Sequence, residues 1–250
     1  MSADFPGDVL THTVHRPWPV PDGPWIMTQS WHDLLFAHWP LDPAALRDKV
    51  PATLPVDLFD GRAWLGVVPF HMTNVTMRGL GWLPFASAFP ELNVRTYVTV
   101  GGKPGVYFFS LDATSRLAVF TARALFNLPY HRATMSVDVG ARRVSYRSSR
   151  RTGGAELAVT YGPTGAVQEP RPGTLEHFLT ERYCLYTTNR SGHVRRLEIH
   201  HRPWPLQIAD AQIAVNTMAA ASGLALPETA PLLHFAKRID ALAWPMTVVR

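Results

Sequence analysis

The chain has 250 residues, 46% of them hydrophobic and 11% aromatic, which is ample for a sizeable core and far from a disordered composition. Its formal net charge is +5, carried almost wholly by arginine, since Lys49, Lys103 and Lys237 are the lysines. One cysteine, Cys184, excludes an intrachain disulfide and a multi-cysteine zinc site, and apolar runs such as Ala63 to Phe70 are too short to span a bilayer.

The first residues, "MSADFPGDVL", lack the basic start and apolar run of a signal peptide, so a cytoplasmic protein with no membrane contact is expected. Residues 1 to about 25 are proline-rich and expected to be extended, wrapping the domain rather than forming a core. "PLDPAALRDKVP" predicts a short helix, with Asp42 as N-cap, Pro43 at the first helical position and Pro51 as the stop. Strand signals follow: "RAWLGVVPF" ending at Phe70, "TNVTMR", "LNVRTYVTV" running into the turn "GGKPG", and "VYFFSL". The period then changes. Leu117, Phe120, Ala124 and Leu125 share a helical face and predict a helix over 113–126, stopped before Pro129.

Further strands are expected at "HRATMSV", "RRVSYRS", "AELAVTY" and "HVRRLEIHH". Helices are expected at "TLEHFLTERY", capped by Thr174, and at "ADAQIAVNTMAAASG", ending at Gly223. Strands outnumber helices and come at hairpin spacing, and no repeat or long linker divides the chain. The expectation is one α+β domain over 1–250, a largely antiparallel barrel or sandwich with a few covering helices.

Eleven histidines suggest a metal, with His32 and His38 or the pair His200 and His201 as the nearest approaches. Neighbouring strand residues face opposite ways, and HExxH and a magnesium-type acidic cluster are both missing, so no metal is expected. Nucleotide-binding glycine motifs and a GxSxG elbow are also missing, and no cofactor is expected. Cys184, between two tyrosines in "RYCLYT", reads as a buried small apolar residue. The cluster Arg142, Arg143, Arg147, Arg150 and Arg151 invites a nucleic-acid reading. Without a recognition motif beside it, a solvated edge strand is the expectation. The repeated "RPWP" reads as a rigid packing element.

In "FPELNVRTYV", Leu92, Val94, Thr96 and Val98 point one way and Glu91, Asn93, Arg95 and Tyr97 the other. A carboxylate, an amide and a guanidinium in a row face solvent, pair with one another, or line a cavity.

With "LLFAHWPLDP", "GRAWLGVVPF", "GVYFFSLDA", "LPYHRA", "ERYCLYT" and "HHRPWPLQ", this stretch resembles the bacterial YqjF family (DUF2071) over roughly His32 to Trp244. That family comprises uncharacterised proteins placed in the acetoacetate decarboxylase-like superfamily. The resemblance implies a cone-shaped, mainly antiparallel β-barrel, a central apolar cavity for a small molecule, covering helices, and assembly into a homo-oligomer. In the decarboxylase a cavity lysine forms a Schiff base with a β-keto acid, its pKa depressed by a second lysine and by desolvation. Here "FNLPYHR" puts Tyr130 and His131 where the lysine pair would stand, so acetoacetate decarboxylase activity is not expected. Lys237 is the lysine placed to reach inward.

By the same resemblance Glu91 enters the cavity to hold or protonate a substrate group, Arg95 clamps a carboxylate, and Asn93 donates to a carbonyl. Tyr130 brings a hydroxyl, and His131 brings an imidazole that, unless buried, titrates near neutrality and is the better candidate base. An extended segment points these two in opposite directions, and Tyr130 is favoured for the cavity. Packing roles for Tyr130 and His131 stay open, and Arg123 is expected to be a salt-bridge partner. Three functions follow. They are an enzyme or binding protein for an oxo- or carboxylate-bearing metabolite, a non-catalytic ligand sensor, and an arginine-rich nucleic-acid module.

Overall fold

The computed structural model describes residues 5–79, 88–115, 127–189 and 191–249. Its strands are β1 (Met27–Leu41), β2 (Ala63–Met77), β3 (Phe89–Val100), β4 (Lys103–Ala113), β5 (Tyr130–Val139), β6 (Val144–Arg150), β7 (Glu156–Pro163), β8 (Cys184–Thr188), β9 (Val194–His201), β10 (Leu206–Asn216), β11 (Leu232–Ala243) and β12 (Thr247–Val248). Among the described residues there is one α-helix, α1 (Leu175–Thr180).

Strands β1-β2-β3-β4-β5-β6-β7-β10-β11 pair in that order and return to β1, so nine strands close on themselves. Neighbours are antiparallel except at the β4–β5 seam, which is parallel and pairs Leu111 with Tyr130, Asp112 with His131 and Ala113 with Arg132. Closure removes the exposed edges that an open sheet would present. The β8–β9 hairpin leaves this circuit. β8 pairs with β4 at Val106 and Tyr107, while β9 pairs with β11 from Ala241 to Ala243. The hairpin therefore lies across the outer face of the wall β4-β3-β2-β1-β11.

That wall has two buried faces. Leu35, Ala37, Leu65, Val67, Leu92, Val94, Tyr146, Val159 and Phe235 fill the barrel. Leu34, Phe36, Val68, Phe70, Met72, Trp204 and Ile239 pack on the outside. A strand buried on both faces reads as a continuous apolar run rather than as alternation, which is why β1 carries no period-two signal.

Several expectations need correction. β2 runs unbroken from Ala63 to Met77, through the expected stop at Pro69-Phe70. The register of β1 against β2 shifts between His32 and Ala37, where Asp33 adopts φ +51°, so the missing N–H of Pro69 falls where β1 bulges away. The helix expected to end at Gly223 is instead β10, which pairs with β7 from Ala209 to Asn216. Only Ala220–Ser222 forms a 3-10 turn there, closed by Gly223 at φ +72°. Sheet pairing overrides the alanine propensity. The Pro43–Leu46 segment is one 3-10 turn, with Ala44 N donating to Asp42 Oδ1 at 2.8 Å. Thr174 caps α1 as expected, over a shorter span.

β6 is not an edge, because it pairs with β5 and β7, and Arg150 on it is buried. In the N-terminal segment, Phe5 and Val9 form a small core with Leu242 and Trp244 instead of merely wrapping the barrel. The helix predicted over 113–126 lies outside the described residues beyond 115, as does Arg123. Among the described residues no helix is long and apolar enough to cross a membrane.

Candidate functional site

The outward face of β3 holds Glu91, Asn93, Arg95 and Tyr97. Glu91 lies between Phe70 on β2 and Ala113 on β4 and is 4% exposed. The parallel seam sets Tyr130 beside Leu111 at the start of β5, and its hydroxyl donates to Glu91 Oε2 at 2.6 Å. Burial raises the Glu91 carboxyl from 4.5 to about 7; the Tyr130 hydrogen bond opposes this and the Asp112 charge adds to it. Burial, reinforced by Glu91, pushes the Tyr130 phenol well above its ordinary value, so it stays a donor. A carboxyl poised near neutrality in apolar surroundings can both take and give a proton.

Two further polar atoms face this outer layer. Asn93 Oδ1 and Trp204 Nε1 are buried and have no hydrogen-bond partner among the described residues. Trp204 meets Phe36 edge-on at 4.9 Å in the apolar cluster that also holds Tyr130. Buried polar groups are ordinarily paired, so this open acceptor and this open donor stand out in the outer layer. Trp204 was legible in the sequence only as a packing element of "RPWP".

Arg95 shares the face but is engaged elsewhere. Its NH2 donates to the Leu179 carbonyl of α1 at 3.2 Å and its Nε to the Tyr97 hydroxyl at 3.3 Å. Its guanidinium also lies 5.3 Å from the Phe36 ring centroid. Tyr97, which accepts from Arg95, also shares a hydrogen bond with His38 Nε2 at 2.6 Å. Burial holds His38 well below 6.5, with Arg95 and His234 adding to the effect. Arg95 thus ties the wall to α1. The hydrogen bonds of its guanidinium run to Tyr97 and Leu179 and not to Glu91.

Tyr130 and His131 do point opposite ways. Tyr130 reaches Glu91, and His131 lines a separate pocket of about 260 Å³ with Lys49, Tyr107, Phe109, Ser110, Arg150, Ala221 and Ser222. Lys237 does not reach inward: its side chain is 67% exposed and its Nζ donates to Asp33 Oδ1 at 2.5 Å. Lys49, which follows the Pro43–Leu46 turn, lines that pocket. Cys184 is buried, and desolvation raises its thiol to about 11. His200 bonds the Val9 carbonyl and His201 the Arg202 carbonyl, on opposite sides of β9.

The barrel is similar to solved structures at low identity. Acetoacetate decarboxylase from Legionella pneumophila matches with a TM-score of 0.62 at 14% identity, covering 100% of this chain and 98% of that one. The enduracididine biosynthesis enzyme MppR complexed with pyruvate matches with a TM-score of 0.61 at 12% identity, covering 94% and 93%. In sequence, the uncharacterized protein YqjF of Bacillus subtilis (strain 168) is 50% identical over 228 residues, 91% of this chain and 94% of that protein. The DUF2071 family, described as an uncharacterized conserved protein, matches residues 28–240. The chain therefore belongs to the DUF2071 family, built on the acetoacetate decarboxylase-like barrel.

Proposed function

We propose that the outer face of β3 binds a small oxo-acid and exchanges a proton with it through Glu91, without a Schiff base. The observation that carries this reading is the buried Glu91 carboxyl, raised to about 7 and hydrogen-bonded at 2.6 Å by Tyr130. Tyr130 occupies a position at which the superfamily pattern has a lysine, so an acid–base dyad replaces the amine. The ionised form of Glu91 takes the proton α to the ketone, leaving an enolate, and the acid form returns it. Trp204 Nε1 supplies a donor for a substrate oxygen, and Asn93 Oδ1 supplies an acceptor for a hydroxyl. Pyruvate, which the MppR structure holds in a similar barrel, is the natural first probe. Arg95, already bonded to Leu179 and Tyr97, is assigned to scaffolding rather than to carboxylate clamping.

Calorimetric titration of hydroxypyruvate and pyruvate into the wild type, Glu91→Gln and Asn93→Ala tests the site. Saturable binding of both is expected, with hydroxypyruvate weakened at least about tenfold in Asn93→Ala. Binding indifferent to both substitutions would refute the assignment.

A further inference from the structure

We propose that the pocket on the inner side of the β4–β5 seam is a second ligand site, for a small flat monocarboxylate. It lies on the opposite face of the wall from Glu91 and stands independently of the reading above. Its mouth is made where the segment after β1 meets the 3-10 turn after β10. A Cβ on Gly223 would lie 2.8 Å from Lys49 Nζ, so the ammonium sits against this turn at the rim beside Ser222. Its floor comes from β4, β5 and β6, and its side wall from Tyr107 and Phe109, whose rings meet edge-on at 5.5 Å.

The chemistry of the lining selects the ligand. Among the described residues no carboxylate lines the pocket. Arg150 is held by Asp112 behind it, with NH2 to Oδ1 at 2.7 Å, so that pair is electrically neutral. Lys49 makes no ion pair among the described residues. Among the described lining residues Lys49 is the cation without an ion pair, which favours a monoanion over a phosphate dianion. Ser110 Oγ is buried, lines the pocket and has no hydrogen-bond partner among the described residues. It is an open hydroxyl for a carboxylate oxygen. The aromatic wall suits a planar apolar body, and about 260 Å³ lies just below the range of drug-sized sites, so the ligand is small.

The test is an NMR titration of the 15N-labelled full chain with benzoate, using benzamide as the uncharged match. Saturable shifts at the amides of Ser110, His131 and Ser222 are expected, with benzamide at least about tenfold weaker. Lys49→Met is expected to weaken benzoate roughly fivefold, as fits a rim charge, while Lys49→Arg retains it. Ser110→Ala is expected to weaken benzoate while raising the Tm of the unliganded chain, because an unpaired buried hydroxyl is removed. Glu91→Gln leaves benzoate binding intact. The proposal is overturned by no saturable shift at millimolar benzoate, by equal affinity for benzamide, or by indifference to Lys49→Met. Loss of benzoate binding in Glu91→Gln would likewise overturn it, by moving the ligand to the outer face.

Discussion

Glu91 and Asp112 are buried carboxyls on neighbouring strands that face opposite ways, Glu91 outward to Tyr130 and Asp112 inward to Arg150. Burial pushes both upward. The difference lies in the partner. A phenol at 2.6 Å leaves Glu91 titrating at about 7, whereas Arg150 supplies a full positive charge that pulls Asp112 back. One wall therefore carries a raised carboxyl bonded to a phenol on one side and an ion pair on the other.

Glu91→Gln should change how stability depends on pH. The folded pKa of about 7 lies above the ordinary 4.5, so the folded state holds the proton more tightly. Stability from this group is full below pH 4.5 and is lost as pH rises through 7. The neutral glutamine escapes that loss, worth roughly 3 kcal/mol at pH 8. Urea denaturation at pH 5 and pH 8 should show the variant gaining on the wild type as pH rises.

Tyr130→Phe removes the donor but keeps the ring in its apolar cluster. The carboxylate form of Glu91 loses its hydrogen bond, so the Glu91 pKa should rise further, and the variant should cost about 1–3 kcal/mol at pH 8. A 13C titration of the Glu91 carboxyl reads this directly. An unchanged midpoint would dissociate the two residues.

The Asp112–Arg150 pair predicts non-additivity. Arg150→Met leaves Asp112, 0% exposed, without its cation and should cost about 3–5 kcal/mol. Adding Asp112→Asn should restore most of that loss, because the stranded charge is gone. A double-mutant cycle by chemical denaturation checks it; equal losses in the single and double variants would contradict the account.

Acid lability has a separate source. Burial leads the lowering of His38, His71 and His234 and of His32, His200 and His201, the last three to about 4 each. These groups are neutral when folded and take up protons on unfolding. Their stability is complete above pH 6.5 and is lost as pH falls toward 4. In that window Glu91, Asp112 and Glu181, all raised by burial, act in the opposite direction, but the histidines outnumber them. The denaturation midpoint should therefore drop between pH 6.5 and 4, with a smaller slope in His38→Gln.

The residues differ in how far the sequence revealed them. Alternation along 89–98 placed Glu91, Asn93, Arg95 and Tyr97 on one face, and β3 bears that alternation out. The strand could not say what each side chain meets, because Arg95 finds Leu179 and Glu91 finds Tyr130 through contacts long in sequence. Lys49 looked like a helix end until the turn at Gly223 brought it to a pocket. β1 and β11 lacked a period because the wall is buried on both faces. β10 looked helical because its alanines favour a helix until β7 pairs with them.

The central claim is that Glu91 moves a proton at a keto acid. Its most direct test is the exchange of pyruvate methyl protons for deuterium, followed by 1H NMR in D2O from pH 5 to 9. Wild-type chain should accelerate exchange with an apparent pKa near 7, and Glu91→Gln should abolish the acceleration at every pH. Exchange no faster than buffer, or undiminished in Glu91→Gln, would contradict it.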